Sequence, residues 1–178
     1  MNKYTTLITR SEYSHAWSEA GRRREILRAS RDQNSGQGVS TTPESEVWSV
    51  MAEIIVGRFT GSYPSALKGG YDPDDADLSN GIEVRATHHF NGRLIIRKKD
   101  RERAHRYFVL VTYKEMPASL PQFVIHGAIK GADAMVDRFW EQSWGNGGDP
   151  SWLVPQSALT DLRLILPNLN YLSWGKVA

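Results

Sequence analysis

The sequence predicts an α+β domain with a central, mixed and mostly antiparallel sheet flanked by helices. Three observations lead there. Two helical periodicities come first, within the opening sixty residues. Four or five strand-like segments follow, then one short helix and one short strand. Runs of helices and runs of strands that do not alternate one for one make layered α+β architecture rather than a doubly wound sheet.

Residues 1–10 read as an extended lead-in. From Ser11, a candidate N-cap, Tyr13, Ala16, Trp17, Ala20 and Leu27 recur at helical spacing. Residues 30–42 are polar and rich in Gly and Ser, hence a linker. The expected division is therefore a basic helix with its linker over 1–42 and a main domain over 43–178. Thr42-Pro43-Glu44 has the hydroxyl, proline and acid of a helix start. That helix runs to about Gly57 or Phe59 and is apolar nearly all round from Val47 to Val56, so it is buried. Glu53 is its one charge between Glu46 and Arg58. A carboxylate placed there must be paired, protonated or metal-bound.

After a loop, alternation of period two begins: Ile82, Val84 and Ala86 on one face, Glu83, Arg85, Thr87 and His89 on the other. Asn91-Gly92 predicts a hairpin turn into a returning strand from Arg93 to about Lys98. Tyr107–Tyr113 is a continuous apolar run, expected as a central strand buried on both faces. Pro121–Ile129 is a further strand, Ala132 to about Trp140 a short helix, and Trp152–Val154 a short strand before a last helical turn at Pro155–Ser157. The tail, LPNLNYLSW, is apolar enough to dock on the body or on a partner.

Composition excludes several chemistries. The 178 residues include no cysteine, so there is no disulfide scaffold, thiolate zinc site or thiol nucleophile. No apolar run approaches the roughly 18 residues of a membrane span, and the first residues lack a signal-peptide core. A cytoplasmic protein with no membrane partner is the expectation. Neither a Gly-x-Ser-x-Gly elbow nor a phosphate-binding glycine loop is present. Trp144, in a Gly-rich loop, is a candidate for stacking on a base.

The net charge is only +2, but it is unevenly spread. Residues 1–31 hold seven bases and three acids, including Arg22, Arg23 and Arg24. Residues 93–106 hold seven bases and two acids, including Arg93, Arg97, Lys98, Lys99 and Arg101. Between them lie Asp72, Asp74, Asp75, Asp77 and Glu83. Solvated surface faces would look this way; so would anions that hold a metal, ringed by cations that hold a phosphate backbone. A calcium loop over Asp72–Glu83 is disfavoured, because Asp77 stands where the sharp turn needs glycine. A solvated acidic loop and a site for hard Mg²⁺ or Mn²⁺ remain.

Asp77 followed by Glu83-Val84-Arg85 resembles the PD-(D/E)XK nuclease signature, in which a loop Asp precedes Glu-x-Lys on a strand. Glu53 falls on the preceding helix, where many members carry an acid. The ordered segments IEVRATHH, GRLIIR, YFVLVTY, HGAIKGADA and WLVPQSAL resemble phage-type proteins that look like divergent members of that superfamily. The resemblance covers about residues 44–160. It implies a restriction-endonuclease-like core and a metal-dependent phosphodiesterase acting on DNA. Glu53, Asp77 and Glu83 would hold Mg²⁺ or Mn²⁺, with Asp72, Asp74 and Asp75 open as alternatives to Asp77. Arg85 would stand at the lysine position. Arginine stays protonated, so it can stabilise phosphate charge but cannot serve as general base. That role would pass to His89, on the face of Glu83, or to Lys98. A nuclease that cuts both strands is often a homodimer. A DNA-binding or phage assembly protein that reuses the fold without efficient turnover is the alternative.

Overall fold

The computed structural model describes residues 3–31, 43–62, 64, 75–116, 119–143 and 148–165. It is an α+β layered structure. Strands β1 (Tyr4–Leu7), β2 (Ile82–Thr87), β4 (Tyr107–Lys114) and β5 (Gln122–Lys130) form one mixed sheet in the order β1-β5-β4-β2. Strands β3 (Leu94–Arg97), β6 (Trp140–Glu141) and β7 (Ser151–Val154) form a second sheet, ordered β3-β7-β6. Helices α1 (Arg10–Arg31) and α2 (Pro43–Thr60) pack together over one face of the larger sheet. Among the described residues, no helix is long and apolar enough to cross a membrane.

The alternation of β4 explains the layering. Val109 and Val111 join the core that contains α1, α2, Ile82 and Val84. Phe108 and Leu110 join a second core with Leu94, Ile96, Trp152 and Val154 of the smaller sheet. A strand buried on both faces is the expected outcome of its unbroken apolar run. Its neighbour β2 is parallel to it, with Glu83 opposite Phe108, while β5 is antiparallel.

Several expectations are corrected. Asn91-Gly92 does turn the chain, with the Gly92 N–H donating to the His89 carbonyl at 2.7 Å. The flanking strands nevertheless do not form a hairpin: β3 pairs with β7, and β2 with β4. Burying Leu94 and Ile96 in the second core outweighs local pairing. The cap of α1 is Thr9, not Ser11. Thr9 Oγ1 accepts from the Glu12 N–H at 3.2 Å, and Glu12 Oε2 accepts from the Thr9 N–H at 2.8 Å, a reciprocal capping box. The lead-in is not separate: β1 pairs with β5, and Ile8, Ala16 and Ala20 lie in the same core as α2. Ile8 and α1 thus share one core with α2 and the larger sheet. The helix expected over 132–140 shrinks to α3 (Gly131–Ala134) and a 3₁₀ turn at Asp137–Phe139. The 3₁₀ turn at Gln156–Ala158 follows β7, and α4 (Leu162–Ile165) ends the described chain. The apolar tail and Trp144 lie outside the described residues.

Candidate active site

Glu53 sits mid-way along α2 and is only 4% exposed. Its partner is Arg23, on the facing side of α1. Arg23 Nη1 donates to Glu53 Oε1 at 2.8 Å and Nη2 donates to Oε2. Arg23 also reaches Glu19 at 3.1 Å and Glu46 at 3.9 Å. Burial alone would lower the affinity of its guanidinium for a proton, but the bonds it donates to Glu53 and Glu19, and their charges, raise it, so Arg23 is held charged. Burial pushes the Glu53 carboxyl above the ordinary range, and Arg23 pulls against that. The expectation that Arg23 grips phosphate is thereby corrected. The apolar helix needs a cation for Glu53, and Arg23 supplies it from inside the α1–α2 interface.

Glu83 and Arg85 share the face of β2 turned toward the second core, as the alternation predicts. Ile82 and Val84 take the other face. Glu83 is 1% exposed and is surrounded by guanidinium groups. Arg106 Nη1 is 2.6 Å from its Oε1; Arg85 and Arg103 lie 3.2 Å and 3.6 Å from its Oε2. Arg85 further reaches Asp77 at 3.6 Å and Asp100 at 3.3 Å, and it lies over the Phe108 ring. Burial would lower the Arg85 pKa, but Asp77, Asp100 and Glu83 together raise it.

Asp77 stands at the outer edge of β2. The Leu78 N–H donates to the Ile82 carbonyl, which presses the preceding loop against the strand. Asp77 Oδ2 then accepts from the Val84 N–H at 2.7 Å, capping an edge amide that no strand pairs. Burial, and next the charge of Glu53, push this carboxyl up to about 7, with Glu83 adding to the shift; Arg85 and the Val84 amide oppose them. Of the alternative loop acids, Asp75 is exposed, and Asp72 and Asp74 lie outside the described residues.

Asp100 is the residue that sequence reasoning missed. It lies in the 3₁₀ helix Lys98–Arg103 and is buried. Its Oδ2 accepts from the Arg97 N–H at 2.9 Å and pairs with Arg85. Its Oδ1 has Arg103 at 3.9 Å and no hydrogen bond. The available signal was an acid inside a run of bases, where a surface role would need none.

His89 is not brought to this cluster. It lies past the end of β2, exposed, with its ring 3.9 Å from that of His88. The four steps along the strand from Glu83 to Thr87 already separate them by about 13 Å at ~3.3 Å each. Arg97, Lys98, Lys99 and Arg101 are exposed on the turn that supplies Asp100. Arg101 also lies over the Trp152 ring. Arg93 is paired with Glu141 at 2.6 Å, Arg22 with Glu19 at 2.8 Å, and Arg24 is half-buried.

Glu53, Asp77 and Glu83 carry carboxylates, the donors that hard Mg²⁺ or Mn²⁺ accepts. Among the described residues, no three His, Asp or Glu side chains stand close enough to form a ready metal group. Glu53, Asp77 and Glu83 do not form a metal site as they stand, since each is paired with arginine. Comparison with known proteins found no matching family model, no matching curated protein and no matching solved structure.

Proposed function

We propose that this chain is a metal-dependent DNA phosphodiester hydrolase, an endonuclease or exonuclease with a restriction-endonuclease-like core. The observation that carries the reading is that Asp77, before β2, and Glu83, on it, are joined through one guanidinium, Arg85, 3.6 Å from Asp77 and 3.2 Å from Glu83. Glu53, Asp77 and Glu83 would hold Mg²⁺ or Mn²⁺, which when bound supplies a Lewis acid and an activated water. Arg85 keeps its charge and offers N–H donors to a phosphate oxygen as negative charge builds there. Arg97, at the end of β3, and Lys98, Lys99 and Arg101, on the adjoining turn, are exposed and would hold flanking phosphates.

One observation favours a second reading. Both oxygens of Glu53 and both of Glu83 already face guanidinium groups. A protein kept in that state would bind DNA, or serve in phage assembly, without cutting. Incubation with linear, circular and single-stranded DNA, with Mg²⁺, Mn²⁺ or chelator, separates the two. Metal-dependent cleavage, lost in Glu83→Gln, supports the nuclease. A folded protein that binds DNA in a salt-dependent way and cuts in no metal refutes it.

A further inference from the structure

Beside the first turns of α1 lies a groove of about 560 Å³ that the candidate active site does not use. Tyr13 and Trp17 of α1, Trp48 and Met51 of α2, and Met116 and Leu120 between β4 and β5 line it. Its volume falls within the roughly 300–1,000 Å³ of sites that enclose an organic ligand. Trp48 is stacked on Tyr113, with ring centroids 4.3 Å apart and planes 5° from parallel, which holds its indole in place. Trp17 and Met116, at 44% and 38% exposure, leave apolar surface open to solvent. An open apolar patch of this kind marks a contact site.

We propose that the C-terminal segment of the same chain, residues 166–178, docks in this groove. Nothing in this docking depends on metal or DNA. Place favours it first. Ile165, at the end of α4, packs against the same core as Tyr13, Trp48 and Leu120. Arg163 of α4 lies over the Tyr4 ring at 4.3 Å. From Tyr4, β1 runs to Leu7, opposite Gln122, and the next residue, Pro121, lines the groove. The groove thus begins about one length of β1, roughly 10 Å, from α4. The thirteen residues after Ile165 can extend to about 45 Å. Composition favours it next. Leu166, Leu169, Tyr171, Leu172 and Trp174 fall within nine residues. The longest of the other segments outside the described residues, 32–42 and 65–74, offer Val39 alone and Leu67 with Tyr71. Charge agrees. The segment has no acid and one base, Lys176, while the groove is lined by exposed Glu44 and Glu115 against one base, Arg10. Docked there, the segment covers Trp17 and Met116 and ties α1 and α2 to the β4–β5 connection.

The chain has no cysteine, so a single introduced pair reports the docking in the full-length protein. Ser119 is exposed and lines the groove, and Ser173 lies in the C-terminal segment. Ser119→Cys/Ser173→Cys, oxidised with copper–phenanthroline, should form a disulfide within one chain at a rate independent of protein concentration. The control pair is Glu102→Cys/Ser173→Cys, with Glu102 exposed on the 3₁₀ helix after β3. It should close at least about tenfold more slowly, because docking concentrates the segment at the groove. Leu169→Asp added to the groove pair should bring its rate down to that of the control. Equal rates for the two pairs, or a groove pair indifferent to Leu169→Asp, would overturn the proposal. Cross-linked dimers whose yield grows with concentration would also overturn it and give the groove to a second copy.

Discussion

Arg23→Met should be among the most damaging single substitutions in this chain, and the reason is Glu53. The two side chains are 4% and 5% exposed, and both carboxylate oxygens of Glu53 accept from the one guanidinium. Removing the cation strands a buried carboxylate among Val50, Ile54 and Val56, at a cost of about 3–5 kcal/mol. For a chain of this length each kcal/mol moves the melting point by about 2–4 °C. The expected drop is therefore about 10 °C. Glu53→Leu should be milder, because Arg23 keeps Glu19 at 3.1 Å. The double variant Arg23→Met/Glu53→Leu should recover most of the loss, since an apolar pair can replace a buried ion pair at little net cost. Urea unfolding of the four proteins, followed by circular dichroism, gives the double-mutant cycle. An Arg23→Met protein within about 1 kcal/mol of wild type would refute the reasoning, as would a double variant no better than that single one.

Three further predictions follow from the same contacts. Asp100→Asn removes charge from a buried group that pairs with Arg85 and caps its own turn; a loss of about 2 kcal/mol in thermal unfolding is expected. His126 is buried, with Thr112 Oγ1 2.7 Å from its Nε2; burial, and then the Lys3 charge, lower its pKa to about 4, against a Gln156 contact that raises it. The unfolded chain takes up this proton below about pH 6.5 and the folded chain does not. Its contribution is thus complete above pH 6.5 and falls by roughly 3 kcal/mol on acidification to about pH 4; wild type should lose that much more than His126→Gln over this range. Gly127 has φ +134°, and a Cβ there would lie 2.6 Å from the Thr160 carbonyl oxygen. Gly127→Ala should therefore cost at least about 2 kcal/mol in chemical denaturation.

The parts of this molecule that can be read from sequence are those whose cause is local. Glu53 stands out because an apolar helix surrounds it, and Glu83 with Arg85 because alternation puts them on one face. Their partners are not local. Arg23 lies thirty residues before Glu53, between Arg22 and Arg24 in what reads as one basic surface. Successive residues turn by about 100° around a helix, so the middle arginine of three can point inward while its neighbours face out. Asp100 was obscured in the same way by the bases around it. Asn91-Gly92 signals a turn correctly, but it cannot say which strand each arm will join. That choice belongs to the second core, whose members come from β3, β4 and β7.

The pairing of β1 with β5 has a consequence for how the chain is made. Tyr4 finds its partner at Ile125, 121 residues further along, so β1 is synthesised well before the strand it joins. At about 5–20 residues per second the wait is roughly ten seconds. Until then β1 lacks the strand it joins, while α1 and α2 can pack on each other and α2 on β2. The strand itself is short and half threonine, Tyr4-Thr5-Thr6-Leu7, a poor template for attachment to other nascent chains during that interval. Closing this edge of the sheet is therefore a late event in folding, and a chain cut short before Gln122 has nothing for its first strand to zip onto.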